Sequence, residues 1–140
     1  MEYARLCIRG INKLSNRLRR KFDAFSSAAI CSGAEGRTLH FLIANSDADI
    51  YQKDVEEEFG IRPSTATVLL QKMEADGLIR REISDQDARL KKIILTDKAM
   101  GFIGRVKNDL DTLESQFVEG ISEEDLQVFL RVLRKMSSNI

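Results

Sequence analysis

The sequence predicts a mainly α-helical (α+β) chain interrupted by one β-hairpin, in the order α-α-α-α-β-β-α-α. Three observations carry this expectation. Apolar residues recur at three- and four-residue steps over most of the 140 residues. That spacing gives way once, at 78–95, to two β-prone runs. The lone proline, Pro63, sits where it opens a helical pattern and does not interrupt one. With 43% hydrophobic residues and no Pro/Gly/Ser linker, internal repeat or low-complexity tract, residues 1–140 are expected to form a single domain.

From Leu6 onward, Ile8, Ile11, Leu14, Leu18, Phe22, Phe25 and Ala29 trace one apolar stripe along a helix of about six turns. Arg9, Lys13, Arg17, Arg20 and Lys21 lie on the opposite side, and three readings stay open for Arg17, Arg19, Arg20 and Lys21: solvation, a ligand carboxylate or a partner subunit. Ser32 followed by Glu35 has the spacing of a capping box and opens a second helix through Leu39, Phe41, Leu42 and Ile43, ending near Asn45-Ser46-Asp47. A short helix then runs from Gln52 to Phe59, with Val55 and Phe59 four apart; Gly60 ends it. Its acids, Asp54, Glu56, Glu57 and Glu58, read as a solvated face.

Pro63 suits the first turn of the next helix, whose natural stop is Gly77, giving a span of 63–76. Residues 78–83 and 90–95 read as paired strands, and the polar segment 84–89 is too long for a two-residue turn. Thr96 caps a long helix through Ile103, Val106, Leu110, Leu113 and Phe117, broken by Gly120. Ser122 with Asp125 opens the last helix, with Leu126, Phe129, Leu130, Leu133 and Met136 on one face.

The formal charge is zero, but it is unevenly distributed. Residues 1–37 hold eight basic and three acidic residues, 38–59 one and six, 60–98 eight and six, and 99–140 five and seven. Such a pattern can concentrate positive potential on one side. The absence of a long apolar run argues against a membrane span, and the opening residues lack a signal-peptide core, so the expected location is the cytoplasm. Cys7 and Cys31 match no metal-ligand spacing, and His40, the one histidine, lies in the apolar run 39–43 with nothing to complete a metal site. No Ser/His/Asp, Cys/His or paired-carboxylate set can be assembled, so neither an enzyme nor a cofactor protein is expected.

The helix at 63–76 carries the strongest signal. At about 100° per residue, Ala66, Leu69, Leu70 and Met73 fall in one sector facing a core. Ser64, Thr67, Val68, Gln71 and Ala75 lie opposite, with Thr65 and Lys72 on one flank. That outer face is short, neutral and hydrogen-bonding, as required to enter a DNA major groove about 12 Å wide without presenting carboxylates to phosphates. Ser, Thr and Gln can bond to bases or phosphates, and Lys72 can reach the backbone. With the preceding short helix and the turn Gly60-Ile61-Arg62 it forms a helix-turn-helix, and the hairpin adds a wing. At the tip of that wing Asp87 and Arg89 are spaced for the carboxylate to orient the guanidinium, making Arg89 the expected minor-groove probe. Arg80, Arg81, Lys91 and Lys92 add candidate phosphate contacts.

The stretches Pro63-Ser64-Thr65-Ala66-Thr67, 70–81 and Asp87-Ala88-Arg89-Leu90-Lys91, running on to Leu95-Thr96, resemble the MarR group of winged-helix transcription factors. The resemblance covers nearly the whole chain. It implies a homodimer built by interleaving terminal helices, here 1–31 and 102–140, around a DNA-binding region at 32–101. It also implies binding to a pseudo-palindromic operator, in most cases as a repressor, and a response to a small amphipathic ligand or to oxidants. Some relatives sense peroxide through an N-terminal cysteine, which makes Cys7, between Arg5 and Arg9, the redox candidate. Two departures stand out: Tyr51 replaces the usual Thr or Ser cap, and Gly101 falls later than usual after Thr96.

A dimer also follows from size, because a wing domain of about 60 residues is too small to cover both terminal stripes. The alternative is a winged-helix protein-interaction module that does not read DNA, favoured by the neutral overall charge.

Overall fold

The computed structural model describes residues 1–26 and 33–140. The expected cap Ser32, the stripe's end at Ala29 and Cys31 fall outside the described residues. The elements are α1 (Glu2–Ser26), α2 (Gly33–Ala44), α3 (Gln52–Phe59), α4 (Pro63–Ala75), β1 (Ile79–Ile83), β2 (Lys91–Leu95), α5 (Asp97–Met100), α6 (Ile103–Phe117) and α7 (Glu123–Ser138). They group into two compact units, Met1–Asp109 and Leu110–Ile140.

In the first unit the core gathers Leu39 and Leu42 of α2, Val55 of α3, Leu70 and Met73 of α4, and Ile50, Leu78, Ile79, Ile93 and Ala99 around them. Ala66, Leu70 and Met73 are fully buried, one helix stripe at i, i+4 and i+7. Leu69 packs half-buried beside them. Phe41 and Phe59 close the core edge to face, with ring centres 5.9 Å apart.

The ends of the short elements follow from local chemistry. Gly60 takes a left-handed φ of 60° that ends α3, and Gly77 (φ 73°) ends α4 while the Leu78 N–H donates to the Met73 carbonyl at 2.9 Å. Tyr51 needs no hydroxyl cap of its own at the start of α3. The Asp54 carboxylate accepts its backbone N–H at 2.9 Å, and the phenol hydroxyl turns to Ser84 Oγ at 3.3 Å.

β1 and β2 pair antiparallel, with Ile79 opposite Leu95 and Ile83 opposite Lys91. The Ile93 N–H donates to the Ile50 carbonyl at 2.8 Å, which ties the segment before α3 to the free edge of β2. Helix-turn-helix and hairpin thus share one core, the winged helix-turn-helix expected from the sequence.

One expectation is corrected. The long helix that Thr96 was expected to cap is two helices, so the order gains a single helical turn, α5. Thr96 Oγ1 does accept from the Ala99 N–H at 3.2 Å, but it also binds the Gly77 carbonyl. The turn then tightens, with Gly101 N–H reaching Lys98 O and Phe102 N–H reaching Ala99 O, before the chain restarts at Ile103. Gly101 offers no side chain to stabilise a continuous helix, and Phe102 packs against the core instead of following α5.

The second unit holds the rest of α6 and all of α7. Gly120 (φ 76°) makes the turn, and Ser122 Oγ accepts from the Asp125 N–H at 3.1 Å to cap α7. Leu110 and Leu113 are buried, whereas Val128, Phe129, Leu130 and Val132 of α7 are exposed. In the first unit Leu6, Ile8, Ile11 and Leu14 of α1 are likewise exposed. Among the described residues, no helix is long and apolar enough to cross a membrane.

Candidate nucleic-acid interface

The outer face of α4 exists because its inner face is fully used. With Ala66, Leu70 and Met73 in the core, helical geometry turns Ser64, Thr65, Val68 and Gln71 outward, and all four are exposed. Val68, at 66% exposure, has no core to join and is available for an apolar contact such as a thymine methyl.

Thr67 is half-buried. Its hydroxyl donates to the Pro63 carbonyl at 2.9 Å and accepts from Gln52 Nε2 at 3.0 Å. Gln52 Nε2 also reaches the Pro63 carbonyl at 3.2 Å. The first residue of α3 therefore buttresses the first turn of α4.

Lys72 is engaged rather than free. Its ammonium lies 2.9 Å from Glu35 Oε1 and 2.8 Å from Asp76 Oδ2. Those contacts, with Asp76 first and Glu35 second, raise the lysine above its ordinary pKa, while Lys72 and then Glu35 hold the Asp76 carboxyl below its own.

On the hairpin, Arg89 forms a fork with Asp87. Nε meets Oδ1 and Nη2 meets Oδ2, each at 3.1 Å, and the Arg89 backbone N–H adds a bond to Oδ1 at 2.9 Å. Asp87 consequently titrates below its ordinary value, through the Arg89 side chain first and its backbone second. Arg89 remains 89% exposed: its direction is set but its outer edge is open.

Arg80 is exposed and paired with Glu82 at 3.1 Å, and Lys91 is exposed at the start of β2. Lys92 faces Asp49 at 3.6 Å. Arg81 is turned inward, at 18% exposure, between Glu74 of α4 at 2.8 Å and Gln52 Oε1 at 3.4 Å. Cys7 is an exposed free thiol on α1. Among the described residues no group of three His, Cys, Asp or Glu is placed to hold a metal ion.

The fold has counterparts among solved structures. The chain superposes on the transcription regulator MarR of Oenococcus oeni with a TM-score of 0.86 at 32% identity, covering 93% of this chain and 97% of that one. Residues 32–90 match the MarR family model. The chain belongs to the MarR family.

Among other solved structures, the S. aureus MepR–DNA complex is 26% identical with a TM-score of 0.83, covering 92% of each chain. An HTH-type transcriptional regulator of Bacillus subtilis, YdgJ, is 26% identical over 134 residues, 95% of this chain and 76% of its own length.

Within this MarR-family chain, sequence reasoning missed Gln52 and Glu35 as partners of α4. Gln52 bridges α4 and β1 across gaps of 11 to 29 residues, and no local spacing reports such a contact. Glu35 was read as a capping residue, yet its carboxylate is fully buried and meets Lys72, 37 residues away. Glu35 stands in the first turn of α2, ahead of the apolar run 39–43, and no local spacing reports that its carboxylate is buried and so requires a partner.

Proposed function

We propose that this chain is a homodimeric transcription regulator, acting as a repressor in the cytoplasm, that reads double-stranded DNA through α4 in the major groove and Arg89 in the minor groove. The observation that carries the reading is the pairing of two features. One is an exposed, carboxylate-free face of Ser64, Thr65, Val68 and Gln71; the other is an arginine fork whose direction is fixed by Asp87. Lys91 and Arg80 supply phosphate contacts beside them. The zero net charge does not oppose this, since what matters for binding is the local field, and the acids of α3 lie on another element. Likeness to a relative solved on DNA supports the same reading.

The dimer is supported by the uncovered apolar residues of α1 and α7, which residues 1–31 and 102–140 would bury against a second copy. Two copies related by a two-fold axis place their α4 helices in successive major grooves, about one DNA turn apart.

The test is fluorescence anisotropy on a duplex selected from a random-sequence library, titrated across KCl concentrations, with sedimentation giving the oligomeric state. Tight binding that weakens steeply with salt and a two-copy complex are expected. Salt-independent binding, or none to any duplex, refutes the reading.

A further inference from the structure

Lys72 stands on the flank of α4, where a free lysine would reach for a phosphate. Its ammonium is instead shared between Glu35 Oε1 at 2.9 Å and Asp76 Oδ2 at 2.8 Å. Glu35 is wholly buried in α2, while the lysine is 57% exposed, so the ion pair runs from the surface of one helix into the interior beside another. Asp76 closes the C-terminal end of α4, and its backbone carbonyl accepts from Lys98 Nζ at 2.6 Å. α2 in turn is linked to α1 through Arg37 and Asp23, 3.8 Å apart.

We propose that Lys72 is a positioning residue: through buried Glu35 it sets the angle of α4 against α2, and it does not serve as a phosphate contact. The inference rests on α4 being the DNA-reading helix. The physical reason lies in the asymmetry of the pair. Swinging Lys72 out to a phosphate would take the cation away from a carboxylate held out of water, and a single screened contact at the surface returns less than that loss. An α4 that rolls on its core would carry Ser64, Thr65, Val68 and Gln71 away from the base edges together, so the effect falls on discrimination between sequences.

The experiment uses the full chain and two duplexes of equal length, one selected from a random library and one of arbitrary sequence, each titrated against KCl by anisotropy. For Lys72→Met, affinity for the selected duplex is expected to fall roughly tenfold. Affinity for the arbitrary duplex and the slope of log affinity against log salt should stay as in the wild type. A slope shallower by about one per subunit on both duplexes marks a phosphate contact and overturns the proposal.

Glu35→Gln guards against a folding failure, because it keeps the side chain's volume and leaves the lysine in place; a thermal melt checks that the variant is folded. It is expected to lose the same discrimination, with the double variant no worse than the weaker single one. Tighter binding of Glu35→Gln to both duplexes would show a released ammonium reaching the backbone and would equally overturn the proposal. Wild-type protein that binds neither duplex refutes the DNA reading itself, an outcome distinct from either variant result.

Discussion

At the hairpin tip Arg89 is oriented by a carboxylate two residues away, whereas the side chains of α4 are supported by Gln52 and Glu35, 11 to 37 residues distant in sequence. The first arrangement is complete once the loop closes. The second exists only when α2, α3 and α4 share their core. One prong of the proposed interface is thus built by local geometry and the other by tertiary packing, and the two should respond differently to damage.

The largest expected effect separates them by attacking the core. Leu70→Ala should cost about 2–5 kcal/mol of stability in urea denaturation, since it empties a fully buried site under α4 while leaving the Asp87–Arg89 fork untouched. Arg89→Ala should leave stability unchanged and lower affinity for every duplex by about tenfold, with a shallower salt slope measured by anisotropy.

Gln71→Ala should shift base preference at one operator position, by about 1–3 kcal/mol of discrimination, and leave the salt slope nearly as it was. Equal losses on all sequences for both Arg89 and Gln71 variants would erase the distinction between the two prongs. Gln52→Ala is expected to reduce stability by about 0.5–1.5 kcal/mol through the bonds lost at the first turn of α4. Slower amide exchange at Ser64 to Thr67 in that variant than in the wild type would argue that Gln52 is no buttress.

The smallest effect concerns pH. Asp87 titrates below its ordinary 3.8, so its pairing with Arg89 is fully present above that value and is lost as pH falls through the lower folded value. Operator binding between about pH 5 and 8 should therefore be flat as far as this fork is concerned. A loss near pH 6 that disappears in Asp87→Asn would contradict this.

Much of the fold was legible because its signals are short in range. Val55 and Phe59 four apart, Pro63 at a first turn, Gly60 and Gly77 at left-handed ends, and Ser122 three residues before Asp125 each act within one turn of helix. Thr96 misled for the same reason: its capping chemistry was correctly placed, but the length of the helix it starts depends on where Phe102 packs. At the proposed interface, the exposure of Ser64, Thr65, Val68 and Gln71 and the Asp87–Arg89 contact could be read from periodicity and spacing. The Lys72–Glu35 and Arg81–Glu74 pairs could not, because each joins two different elements, whereas Asp76 lies within reach of Lys72 on α4 itself.

By itself the sequence determined which face of α4 is turned outward and that Arg89 has a carboxylate to direct it, because helical pitch and a two-residue loop contact are properties of neighbouring bonds. Tertiary structure alone decided that Lys72 meets the buried Glu35 and that Arg81 turns inward to Glu74. Their partners are brought within 3 Å by the burial of a shared core, and burial is a property of the whole unit that no short stretch of residues encodes.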